Sequence, residues 1–98
     1  MIEAVIAVDF DGTLCRHEFP NIGAARYDLI NLLIRLREQG HKLILWTCRE
    51  GEYLNKAIIW CSGWGLHFDA VNENVSEHKD QEYAHRKVYA DYYLDDRK

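Results

Sequence analysis

Hydrophobic and polar positions along the chain fall into short apolar runs separated by stretches with helical spacing. Val5-Ile6-Ala7-Val8 is a β-branched-rich run bounded by acids, which predicts a strand covered on both faces, as in a parallel sheet. Leu29, Leu32, Leu33 and Leu36 then recur at i, i+3, i+4 and i+7. Arg35 and Arg37 stand near the end and Gly40 supplies a left-handed stop, so a helix is predicted. Lys42 to Thr47 predicts a second buried strand. Leu54, Ala57, Ile58 and Cys61 share one stripe of a second helix, with Glu50 and Glu52 near its start and Gly63 after its end. His67 to Val71 predicts a third strand, Ser76 to Arg86 a short exposed helix, and Tyr89 to Leu94 a last strand that runs into Asp95-Asp96.

The order is β-α-β-α-β-α-β. With right-handed crossovers it gives an α/β fold, a Rossmann-like three-layer sandwich with a mainly parallel sheet of about four strands. In such sheets ligands bind beyond the carboxyl ends of the strands. Asp9, Asp11, Thr47, Asp95 and Asp96 all fall at those ends, so polar residues spread over the whole length converge on one edge.

Length changes this picture little: 98 residues make one domain, 1–98, with no internal repeat or low-complexity tract. Charge narrows the partners. A formal net charge of -4 does not favour a duplex-coating protein, because non-specific nucleic-acid affinity comes chiefly from Lys and Arg neutralising phosphates. A small-molecule partner is expected ahead of a macromolecule, with nucleic acid possible but not favoured. Cys15, Cys48 and Cys61 are odd in number and lack CxxC spacing, which indicates neither a disulfide framework nor a zinc knuckle. MIEAVIAVDF lacks a basic leader and meets an acid after a few apolar residues. No membrane association is expected, and a reducing cytoplasm is the default.

The chemistry lies in VDFDGTLC, residues 8–15. Side chains two apart on an extended strand point the same way, so Asp9 and Asp11 face one cleft if strand geometry persists. Two close carboxylates repel unless a cation intervenes, and Mg2+ takes oxygen ligands from one or two carboxylates plus waters and substrate phosphate. Asp9, a main-chain carbonyl and either Asp95 or Asp96 supply such a set. A carboxylate nucleophile attacking phosphorus yields a labile acyl phosphate. A second acid, Asp11, is placed to protonate the leaving alkoxide and then deprotonate water. Gly12 lets the backbone turn so that amides approach a phosphate. Thr47 can donate a hydroxyl hydrogen bond, and Lys87, just before the last strand, can neutralise transition-state charge, with Lys79 its competitor. Arg16, His17 and Phe19 lie in a short flap, Leu14 to Gly23, where they would select a leaving group. Cys48 and Arg49 follow Thr47 as candidates for substrate contact, with Glu50 beside them, and Asn72 and Asn74 follow the third strand at the same edge.

DFDGTL, a strand ending in Thr47, then Lys87, then YYLDD resemble the four motifs of the haloacid dehalogenase-like (HAD) superfamily phosphatases, over nearly the whole chain. The resemblance implies Asp9 as nucleophile and Mg2+ ligand, and Asp11 as general acid/base and main-chain ligand. It implies Thr47 and Lys87 as phosphate binders and Asp95 or Asp96 as metal ligand. The presence of Asp11 points to the phosphatase branch rather than to dehalogenases or transport ATPases. Leu14 to Gly23 and Thr47 to Lys87 leave no room for a cap domain. Capless members oligomerise to close the site, or take substrates too large for a closed pocket, so a homo-oligomer is one expectation. A catalytically idle phosphate- or partner-binding module and a nucleic-acid end-processing phosphatase are the alternatives.

Overall fold

A computed structural model of the chain describes residues 3–76 and 88–95. The elements run β1 (Val5–Val8), β2 (Cys15–Glu18), β3 (Asn21–Ala25), α1 (Tyr27–Glu38), β4 (Lys42–Leu45), α2 (Gly51–Gly63), β5 (Ala70–Val71) and β6 (Tyr92–Leu94). β1, β4, β5 and β6 form one parallel sheet in the order β5-β4-β1-β6, so the α/β expectation holds. The predicted helix over 76–86 falls almost wholly outside the described residues.

All four residues of β1 are buried, as the unbroken apolar run requires of a central strand. Alternate residues go to opposite faces. Ile6 and Val8 of β1, with Leu43 and Leu45 of β4, meet Ile30 and Leu33 of α1 and Ala57 and Cys61 of α2. Val5, Ala7 and Ile44 meet Val75 and Val88 on the other face. α1 and α2 therefore cover one face of the sheet, and on the second face Val5, Ala7 and Ile44 are buried as well.

The stripe of α1 is centred on Ile30 and Leu33, with Leu29, Ile34 and Leu36 at its margin. Leu32, assigned to the stripe from the sequence, points outward. Both helices end in the same device. Gly40 and Gly65 adopt positive φ, and the amides of His41 and Leu66 return to the carbonyls of Leu36 and Cys61 at 3.1 and 3.0 Å. The stop of α2 is thus Gly65, two residues beyond Gly63, which is the last helical residue.

The expected short flap is built as an antiparallel hairpin of β2 and β3, two strands that the predicted element order does not contain. Cys15 pairs with Ala25, His17 with Ile22 and Glu18 with Asn21, with a bulge between the first two pairs. Three of the four β2 residues are exposed, so the strand carries no apolar alternation to announce it. Strands β5 and β6 are shorter than their apolar runs. Acidic side chains take over at their amino ends. The Asp69 carboxylate accepts from the Leu43 amide at 2.8 Å, and the Asp91 carboxylate from the Val5 amide at 2.8 Å. Among the described residues no helix is long and apolar enough to cross a membrane.

Candidate active site

The central strand β1 ends at Val8, and the ladder continues one step past it on both sides. The Asp9 amide donates to the Leu94 carbonyl of β6 at 2.9 Å, and the Trp46 amide beyond β4 donates to the Val8 carbonyl at 2.9 Å. Asp9 therefore stands between the end of β6, where Asp95 follows, and the end of β4, where Thr47 follows. A cleft of about 460 Å³ opens here, lined by Asp9, Asp11, His17, Phe19, Thr47, Cys48 and Arg49. Residues as far apart in the chain as Asp9 and Arg49 share one cavity because three strand ends meet at this rim.

The chain turns sharply after Asp9. The amides of Thr13 and Leu14 return to the Phe10 carbonyl at 3.1 and 3.0 Å, and Gly12 sits at φ +87° with its amide donating to the Cys15 carbonyl at 2.9 Å. Gly12 thus supplies the turn, as expected, but its N–H and the two after it are consumed inside the turn rather than turned to a ligand. Thr13 is buried, and its hydroxyl has no partner among the described residues.

Thr47 is held from both sides. Its amide donates to Asn72 Oδ1 at 2.8 Å, and its Oγ1 accepts from the Arg49 amide at 3.1 Å, which leaves the hydroxyl proton to donate elsewhere. Asn72 takes a left-handed turn at φ +54°, and Asn74 Oδ1 accepts the Tyr89 amide at 2.6 Å. Both asparagines shape the rim through these bonds instead of lining the cleft. Cys48 is exposed at the cleft, whereas Cys15 and Cys61 are buried; all three are free thiols.

Arg49 departs most from expectation. Anticipated as a substrate contact, it is 2% exposed. Its Nε and Nη2 donate to the two Asp11 carboxylate oxygens, both at 2.8 Å. The remaining donors go to main-chain carbonyls: Nη2 to Asn21 at 3.0 Å, and Nη1 to Pro20 and Tyr53 at 3.4 Å. The guanidinium also lies over the rings of Phe10 and Phe19, at 5.0 and 4.9 Å from their centroids. Hydrogen bonding to Asp11 pushes the guanidinium further above its ordinary value, against the opposing effect of burial. With five N–H groups engaged, Arg49 offers no spare donor to a phosphate. Sequence spacing could not reveal this, because Asp11 and Arg49 are 38 positions apart.

The other expected residues scatter. His17 and Phe19 line the cleft from the hairpin, while Arg16, on the same strand, is exposed and is not among the lining residues. Glu50 immediately precedes α2 and is exposed. Asp95 follows β6 beside Asp9, whereas Lys79, Lys87 and Asp96 lie outside the described residues. Among the described residues no group of three or more His, Cys, Asp or Glu could hold a metal ion. Carboxylates at two neighbouring strand ends, Asp9 and Asp95, nonetheless fit the hard-oxygen chemistry of Mg2+, which commonly takes one or two protein carboxylates and keeps its waters. With its carboxylate held by Arg49, Asp11 would join that set through its main-chain carbonyl.

The fold and the cleft define an α/β protein with a ligand-sized opening beyond the carboxyl edge of a parallel sheet. A solved structure of a conserved protein coded by a locus from Bacteroides thetaiotaomicron has the same fold, with a TM-score of 0.87. The two sequences are 43% identical, and the match covers 99% of this chain and 78% of that one. The chain belongs to the family of that protein. No protein-family model and no curated protein matches it.

Proposed function

We propose that the protein is a Mg2+-dependent phosphomonoester hydrolase of the HAD type, built on a capless, Rossmann-like three-layer core. The observation that carries this reading is the position of Asp9 just past the end of the central strand, in one cleft with Asp11 and Thr47 and beside the strand end that leads into Asp95. Burial of both sheet faces supports the three-layer core, and a two-stranded hairpin in place of a larger insertion supports the capless form.

In the proposed reaction an Asp9 carboxylate oxygen attacks phosphorus while the bond to the leaving oxygen breaks, and that oxygen takes a proton from Asp11. Water then attacks the aspartyl-phosphate and gives its proton to Asp11. Inorganic phosphate leaves and the Asp9 carboxylate is restored. Thr47 donates its free hydroxyl proton to a phosphoryl oxygen, and Lys87 supplies the cationic partner. Mg2+, held by Asp9, the Asp11 carbonyl and Asp95 or Asp96, would neutralise phosphate charge when bound. Phe19 and His17 form the wall that meets the leaving group. The test is turnover of a panel of phosphomonoesters with Mg2+, with chelator, and in Asp9→Asn. Turnover that disappears in the last two is expected; equal rates in all three would refute the proposal.

One observation favours a second reading. Both Asp11 oxygens accept from Arg49, a clamp that equally suits a carboxylate with only a structural role. A catalytically idle phosphate- or partner-binding module would need no mobile proton there. Phosphate binding without turnover across the panel would select it. A nucleic-acid end-processing phosphatase would instead show salt-sensitive binding to phosphorylated oligonucleotides.

A further inference from the structure

We infer that Arg49 is a positioning residue that sets the proton-transfer carboxylate and the aromatic wall of the cleft as one unit. The inference rests on the phosphatase reading and adds to it the residue that orients Asp11. The guanidinium touches three independent parts of the site. Its two bonds at 2.8 Å fix both oxygens of Asp11 on the turn after β1. Its bonds to the Pro20 and Asn21 carbonyls, with its stacking on Phe19, fix the tip of the β2–β3 hairpin. Its bond to the Tyr53 carbonyl ties both to the first turn of α2.

A planar fork with five donors can hold a carboxylate bidentately and reach carbonyls on its other edges; an ammonium group cannot. Asp11 by itself is on a partly exposed turn, and its carboxylate would rotate freely about its last torsion. Phe19, half exposed at the hairpin tip, packs its ring at 5.6 Å from that of Tyr53 and otherwise leans on Arg49. With the guanidinium in place, the distance and angle from Asp11 to a leaving group resting on Phe19 are set before any ligand arrives. Arg49 touches no reacting atom in this arrangement and acts only through its neighbours.

The experiment compares 4-nitrophenyl phosphate, whose leaving group departs without a proton, with 4-nitrobenzyl phosphate, a near-isostere whose alkoxide needs one. Wild type, Arg49→Lys, Arg49→Ala and Asp9→Asn are assayed with Mg2+. The readout is the ratio of kcat/KM for the two esters within each sample, which cancels any loss of folded protein and so remains meaningful for a poorly folding Arg49→Ala. Arg49→Lys is expected to lower turnover of the benzyl ester by about 100-fold and of the aryl ester by less than about 5-fold, the scale of a lost proton transfer. Equal losses for both esters, or wild-type turnover restricted to the aryl ester, would overturn the inference while leaving the phosphatase reading intact. Wild-type turnover of neither ester, or turnover indifferent to Asp9→Asn, would overturn both.

Discussion

The Arg49–Asp11 pair should carry a measurable share of stability whatever the protein catalyses. The Arg49 side chain is 1% exposed and that of Asp11 14%. Replacing Arg49 by Met keeps an unbranched stem of similar reach but removes the charge and five donors. It leaves a mostly buried carboxylate without its cation and takes one donor from each of three main-chain carbonyls. At an effective dielectric of about 20, opposite charges about 4 Å apart attract by about 4 kcal/mol, and removing one member of a buried pair typically costs about 3–5 kcal/mol. Asp11 keeps some access to water, so Arg49→Met is expected at the lower end, about 3 kcal/mol. Domains of this size are stable by about 5–15 kcal/mol, so the loss is a large fraction of the total. Asp11→Asn places an amide donor against a guanidinium donor and should cost about 2 kcal/mol. The double variant removes both charges and should recover part of the loss, with a coupling energy of about 2 kcal/mol in a double-mutant cycle read by urea unfolding. Single effects that add within about 0.5 kcal/mol would show that the two groups do not rely on each other, and the account of Arg49 as a buried anchor would fail.

Two further outcomes follow from the packing. A Cβ at Gly23 would lie 2.9 Å from the Arg16 Cβ across the hairpin, with the Arg16 carbonyl oxygen closer still. Gly23→Ala should therefore push β3 off β2 and cost about 1–3 kcal/mol, with faster hydrogen exchange over the hairpin amides; unchanged exchange there would contradict the close approach. Burial pushes the Cys61 thiol from an ordinary value of 9.0 up to about 12, and raises that of Cys15 as well. Above about pH 9 the unfolded chain releases thiol protons that the folded chain keeps, so stability falls with rising pH, by about 2 kcal/mol for Cys61 near pH 10.5. Cys61→Val should flatten the decline of the urea midpoint above pH 9 and leave the profile below about pH 8 unchanged; an identical decline in both proteins would refute the assignment.

Much of the scaffold is written in local pattern. The apolar run from Val5 to Val8 can be satisfied only by a strand covered on both faces, and the stripe Leu54, Ala57, Ile58, Cys61 only by a helix lying on one. The order of these elements, with the right-handed crossover rule, already brings Asp9 and Thr47 to one edge. Pattern failed where contacts between distant parts outweigh it. β2 is exposed along most of its length and exists because β3 pairs with it. Leu32 and Ile30 both fit a helical stripe, and only the orientation of α1 over Leu43 and Leu45 turns Ile30 in and Leu32 out.

The site divides in the same way. Residue type and strand position made Asp9, Asp11 and Thr47 candidates, because carboxylates and hydroxyls at the ends of buried strands must face a rim open to water or ligand. The partner of each was decided in three dimensions. Arg49, in a polar stretch just after β4, reads as a free cation until the fold closes Phe10, Phe19 and three carbonyls around it. Sequence could thus say which groups reach the cleft, since strand direction is a local property. Only the tertiary structure could say which of them are already satisfied, because a hydrogen bond between residues 38 positions apart exists only once the chain has packed.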